Sequence, residues 1–310
     1  MNDPAMVTTA VGLAILAVLL VWPVPRALAR ARWTHADPVA ALILWQAIGL
    51  AGGLSMAGAG LVYAVAGLGS NLWSGLAQLG RQALAAEPLA GMGVSQVVAL
   101  GLAVATMMTL GVGLLISLVR TLAQRARHRD VLALISDPSA ELADTRVLDH
   151  PEPVAYCLPG TRPVLVVSRG MIQQFGAEEL RAVIAHERAH LAQRHDLVML
   201  PFVAWYVALP WLPGTDAARR AVTSLIEMLA DDRASETCDR NALATAIARA
   251  AAGPRLDAAL GVAPVGTVST RVARLVEPYG ALPGWVRPSA IASAFALVGI
   301  PTVILAMLSA

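Results

Sequence analysis

Long unbroken apolar runs, rather than alternation, dominate this chain. Four of them, Ala5–Pro23, Val39–Val62, Gln96–Val119 and Pro288–Leu308, approach the ~20 apolar residues that a helix needs to cross a bilayer core. They predict four transmembrane helices. Between the third and fourth runs the pattern breaks into shorter units. Val131–Ser136 and Pro163–Ser168 carry β-branched residues between Pro and Gly and predict short strands. Gly176-Ala177-Glu178-Glu179 opens a helix, with acidic side chains in the first turn where the helix dipole favours them. The run Ala182-Val183-Ile184-Ala185 gives that helix one buried side.

Two apolar stretches fit the pattern less simply. Leu72, Leu76 and Leu79 recur at helical spacing beside Trp73, which reads either as a helix lying on the membrane surface or as a packed connector. Leu197–Leu212 is broken by Pro201 and Pro210. As a helix it would reach only ~24 Å, short of the ~30 Å hydrocarbon core. It therefore either dips into the membrane and returns, or packs along the inner face.

Charge orients the spans. Arg26, Arg30 and Arg32 follow the first, and Arg120, Arg125, Arg127 and Arg129 follow the third, whereas the loop after the second holds Arg81 offset by Glu87. Positive charge marks the cytoplasmic side, so residues 120–287 are expected inside and the N-terminus outside. The segment before the first run carries Asp3 and no basic residue, the reverse of a signal peptide's charge order, so the first run is read as a retained span. Three regions are expected: a three-helix membrane region at 1–119, a cytoplasmic domain at 120–287 and a last span at 288–310.

Composition agrees with that division. The chain has 310 residues, 57% hydrophobic and only 14% charged, with a mean hydropathy of +0.63. Soluble domains are about a quarter charged. The formal net charge of +2 gives no reason to expect a nucleic-acid partner. Cys157 and Cys238 fall in the expected cytoplasmic part, so no disulfide framework is implied.

The chemistry concentrates in His186-Glu187-Arg188-Ala189-His190. Residues four apart share a helical face, so both imidazoles can reach one metal ion, and Glu187 is placed to contact water held there. A catalytic zinc takes three protein ligands and leaves one position open. It lowers the pKa of that water from 15.7 to about 7, and a glutamate can accept the proton. Glu227-Met228-Leu229-Ala230-Asp231 supplies a candidate third ligand, Glu227. One turn later, Asp231 can hold the outer nitrogen of a ligating histidine. Glu178, Glu179, Arg181, Arg188 and Arg194 surround the motif, which excludes a site inside a span. His195 lacks the glycine turn and spacing of an HExxHxxGxxH site and reads as a helix-end or packing residue. Arg271 is open between stabilising an oxyanion and forming a structural ion pair.

HERAH, the downstream EMLAD, the approach PVLVVSRGMI and the segment Ser269–Leu275 together resemble the BlaR/MecR-type membrane zinc metallopeptidases, relatives of the HtpX and CAAX-protease gluzincins. The motifs cover roughly Tyr156–Leu275, and the four-span layout extends the resemblance along the chain. It implies a mainly α membrane protein of four transmembrane helices, with an α+β gluzincin-like peptidase domain inserted between the third and fourth. It implies one Zn2+ ion held by His186, His190 and Glu227, with Glu187 as general base and Asp231 behind the ligands. It implies further that Pro163, Val164, Leu165, Val166 and Val167 form an edge strand that takes substrate as an added strand. The implied setting is the bacterial inner (plasma) membrane. The implied substrate is a cytoplasmic winged-helix repressor of the BlaI type; membrane quality control, as in HtpX, and a non-catalytic zinc-stabilised transducer are the alternatives. The BlaR-type receptors carry an extracellular penicillin-binding sensor domain after their last span. This chain ends at Ala310, so that module is not expected.

Overall fold

The computed structural model describes residues 3–87, 89–138, 145–160, 163–252, 265–277, 280 and 282–307. The final residue of the fourth apolar run, Leu308, lies outside them. The chain is mainly helical and forms two compact units: Met1–Ile116 with Pro201–Arg219 and Pro283–Ala310, and Ser117–Leu200 with Arg220–Leu282.

The helices, numbered in chain order, begin with α1 (Pro4–Val21), α2 (Pro23–Ala29), α3 (Trp33–Ala36), α4 (Pro38–Val65), α5 (Leu72–Leu84) and α6 (Val94–Ile135). A four-stranded sheet follows, of β1 (Ser136–Pro138), β2 (Thr145–Leu148), β3 (Ala155–Leu158) and β4 (Val164–Ser168). Then come α7 (Arg169–Gln174), α8 (Ala177–Ala192), α9 (His195–Ala208), α10 (Pro213–Ala234), α11 (Arg240–Ala252), α12 (Val265–Val276) and α13 (Val286–Met307).

The first unit is built around α4. Among the described residues four helical stretches are long and apolar enough to cross a membrane: Pro4–Ala29, Pro38–Val65, Val94–Ile135 and Val286–Ala306. Glycines let neighbours approach α4 closely, as membrane helices require in the absence of a hydrophobic drive between them. A Cβ at Gly60 would stand 2.8 Å from the carbonyl of Ala99 on α6, and one at Gly58 would stand 3.3 Å from Leu305 on α13. Between α4 and α6, Asn71 and Ser74 form a reciprocal capping box that starts α5. Leu72, Leu76 and Leu79 then pack on Met6, Val62 and Val65. Pro201 does not end α9, and Phe202 and Trp205 line a small apolar cavity with Trp45, Ile48, Gly49 and Gly52 of α4.

The second unit carries the sheet, in the order β1-β2-β4-β3. β2 runs parallel to β4, pairing Thr145 with Leu165 and Leu148 with Ser168. β3 runs antiparallel to β4 on its other side, pairing Ala155 with Val167 and Leu158 with Val164. Two expectations are corrected here. Val131–Ile135 is helical, because the hydrogen-bond ladder of α6 continues through a Leu-Ala-Leu stretch of good helix formers. The strand begins only at Ser136. Second, the segment expected at an edge, Pro163–Val167, forms an inner strand flanked by β2 and β3. Leu165 and Val167 face Met171, Phe175 and Ile184, and Val166 faces Leu132 and Leu158. They are core residues.

Small residues set the helix packing of this unit. Ala182 of α8, Ala234 of α10, Leu243 and Ala244 of α11 and Leu275 of α12 form one buried cluster. Leu243 is 1% exposed. Leu243→Ala is therefore expected to cost about 2–5 kcal/mol, since neighbouring alanines cannot collapse into the space. The loss is read as a lower unfolding midpoint of the detergent-solubilised chain.

Candidate metal centre

Three helices of the second unit converge on one point. α8 presents His186 and His190 one turn apart, α10 presents Glu227 and Asp231 one turn apart, and α12 presents Arg271. The start of α8 is fixed by Glu179, whose carboxylate accepts from the Gly176 N–H at 3.0 Å and pairs with Arg249 of α11. That register turns the two histidines toward α10.

His186, His190 and Glu227 each offer a ligand atom, and these atoms lie within 4.8 Å of one another. The Nε2 atoms of the two histidines are 3.1 Å apart, and each is 3.5 Å from a Glu227 carboxylate oxygen. Zinc bonds of ~2.0–2.2 Å in a tetrahedron require ligand atoms about 3.3–3.6 Å apart. Two imidazoles and one carboxylate at these separations fit one such ion, with the fourth vertex left to water or substrate.

The groups behind the ligands orient them. Asp231, 1% exposed, places Oδ1 2.9 Å from Nδ1 of His186, obliquely to the ring N–H direction. Both Asp231 oxygens accept from Arg271 at 2.7 Å, and Nη1 of Arg271 lies 2.9 Å from Glu227. Nη2 of the same guanidinium stands 3.4 Å from Nε2 of His186. Arg271 is thus a structural ion-pair partner that offsets two buried carboxylates. His190 meets His195 on its far side, Nδ1 to Nδ1, at 2.8 Å. Sequence reasoning set His195 aside; the signal available was a third histidine five residues past His190.

The charges form a coupled set. Burial alone would raise the Glu227 and Asp231 carboxyls, but His186 and Arg271 hold both low, Glu227 at about 2. Burial opposes a charge on His186, yet Asp231 and Glu227 outweigh it and raise the imidazole to about 9. The neighbouring His190 moves oppositely, to about 3, because burial dominates there. Two anionic carboxylates therefore favour positive charge among the ligands beyond that of Arg271. A divalent cation supplies such charge and displaces ligand protons as it binds. Glu187 is driven up to about 7, chiefly by burial.

The sheet edge beside this cluster is β3. Val154 and Ser168 form a hydrogen-bonded pair, with the Ser168 N–H on the Val154 carbonyl at 2.8 Å. Antiparallel alternation then makes Cys157 a position whose N–H points away from β4. Among the described residues no strand pairs with the outer side of β3. The Cys157 thiol is pushed up to about 12, first by burial, so without a metal it stays protonated.

A His-His-Glu triad on two helices, buried at His186 and partly exposed at His190 and Glu227, with a glutamate beside it, defines a candidate metallopeptidase centre. Residues 121–250, under half of the chain, match the model of Peptidase family M48, a zinc metallopeptidase family. The match includes every proposed ligand. It supports a metallopeptidase associated with membrane helices. No solved structure matches the chain.

Proposed function

We propose that this chain is a membrane-anchored zinc-dependent endopeptidase that cleaves a protein substrate. The observation that carries the reading is the ligand triangle of His186, His190 and Glu227, with separations of 3.1, 3.5 and 3.5 Å. A zinc ion bound there supplies Lewis acidity, polarising a carbonyl and lowering the pKa of water from 15.7 to about 7. Glu187 takes the proton from the attacking water as the oxygen adds to the scissile carbonyl carbon. It then delivers a proton to the leaving amine nitrogen as the C–N bond breaks. Asp231 holds the outer nitrogen of His186, and Arg271 holds Asp231 and Glu227. The substrate backbone pairs with the outer side of β3, where Ala155 and Cys157 direct their peptide groups away from β4. This reading replaces Pro163–Val167 as the pairing segment.

The resemblance of HERAH, EMLAD and the Ser269–Leu275 segment to BlaR/MecR-type peptidases supports a more specific role. The substrate is then a cytoplasmic winged-helix repressor of the BlaI type, cleaved so that transcription is released. The arginine distribution supports a catalytic region on the cytoplasmic side of a bacterial inner membrane. Comparison of the proteomes of cells carrying the wild-type chain and Glu187→Gln tests this. One repressor fragment made only by the wild type is expected. Many membrane-protein fragments would favour quality control, and identical fragment sets would overturn the peptidase assignment.

A further inference from the structure

The reaction proposed above leaves His195 without a task, although it is 4% exposed and touches a ligand. We propose that His195 is a positioning residue: its Nδ1 accepts the Nδ1 proton of His190 and so fixes the His190 tautomer that coordinates metal through Nε2. The inference rests on the metallopeptidase reading.

Geometry separates the two nitrogens of His190. Its Nε2 faces Glu227 at 3.5 Å and His186 at 3.1 Å, while its Nδ1 faces His195 at 2.8 Å. The two rings meet edge to face, centroids 4.8 Å apart and planes at 85°. His195 therefore cannot ligate the same ion, because the ring of His190 stands between. With both rings neutral, the shared contact holds one proton. If His190 donates, its Nε2 lone pair is free. If His195 donates, the remaining proton of His190 sits on Nε2 and blocks coordination. Only the first arrangement suits a ligand, and a partner at the outer nitrogen is what selects it.

The chain is shaped to deliver this ring. α8 ends at Ala192, and Arg194 takes φ +47, a left-handed conformation that is uncommon for a residue other than glycine. That turn brings the first residue of α9 back against the last turn of α8. From the other side Asp196 pairs with Arg125 of α6, anchoring the start of α9. The Nε2 of His195 is buried without a hydrogen-bond partner among the described residues. Nothing else there competes for the orientation of the ring; its single polar contact is with His190.

The test uses the full chain in detergent and two variants. His195→Phe keeps a planar ring without nitrogen, and His195→Asn keeps an acceptor oxygen. Zinc release to a chromophoric chelator and the visible spectrum of the Co2+-loaded protein are measured on each. His195→Phe is expected to weaken zinc binding about 10–100-fold and to shift the Co2+ spectrum, while His195→Asn restores most of both. Wild-type zinc affinity and an unchanged spectrum in His195→Phe would overturn the proposal. Equal loss in the two variants, with wild-type circular dichroism, would also overturn it by assigning the effect to shape. A wild-type chain that takes up no zinc would instead overturn the metallopeptidase reading itself.

Discussion

Arg271→Met is expected to destabilise the metal-free chain by about 3–5 kcal/mol, a large part of the stability of an ordinary domain. Arg271 is 6% exposed, and its guanidinium is shared between Asp231 at 2.7 Å and Glu227 at 2.9 Å. Removing it leaves the buried Asp231 carboxylate and the largely buried Glu227 carboxylate without their cation. The cost comes from those stranded charges, so removing one of them should return part of it. Arg271→Met combined with Asp231→Leu is expected to unfold later than Arg271→Met alone, a coupling that a double-mutant cycle reads directly. Zinc should also narrow the deficit, because the cation compensates Glu227 in place of the guanidinium. Thermal unfolding of the four proteins, with and without zinc, checks both statements. Additive effects of the two substitutions would show that the ion pair is not a unit.

Glu227→Gln is expected to abolish cleavage and to reduce zinc affinity by more than the ~10–100-fold that an outer-shell partner costs, since a ligand itself is lost. The amide keeps the shape of the carboxylate but contributes no negative charge. Two imidazoles 3.1 Å apart then hold the ion alone. Folding should suffer far less than in Arg271→Met, because Arg271 keeps both of its bonds to Asp231. Zinc content after gel filtration and the unfolding midpoint separate the two effects. A Glu227→Gln protein that retains one tightly held zinc would place the third ligand elsewhere.

The features legible in the sequence were those written in short-range periodicity. The spans follow from run length, and the pairing of His186 with His190 follows from a helical repeat. The same repeat sets Asp231 one turn beyond Glu227. Features fixed by distant chain segments were not legible. β4 became an inner strand because β2 joins it in parallel, Thr145 opposite Leu165, a pairing that no local pattern announces. Val131–Ile135 carried strand-like side chains, yet a helix already running from Val94 continued through them. Arg271 was left open between two roles because its partners lie 40 and 44 residues away in sequence, on α10. His195 was passed over because it was tested as a ligand and not as the neighbour of one.

The outer side of β3, which no strand covers among the described residues, has a consequence for what such an enzyme can digest. A chain can zip onto a sheet only with its own peptide groups unspent, so helices and closed domains are refused until they unravel. Under that constraint the vulnerable points of any victim are its hinges, tails and linkers, whatever their side chains. Selection would then begin with the looseness of the victim rather than with its spelling. A compact protein could remain in the same compartment untouched and become prey the moment one segment came undone.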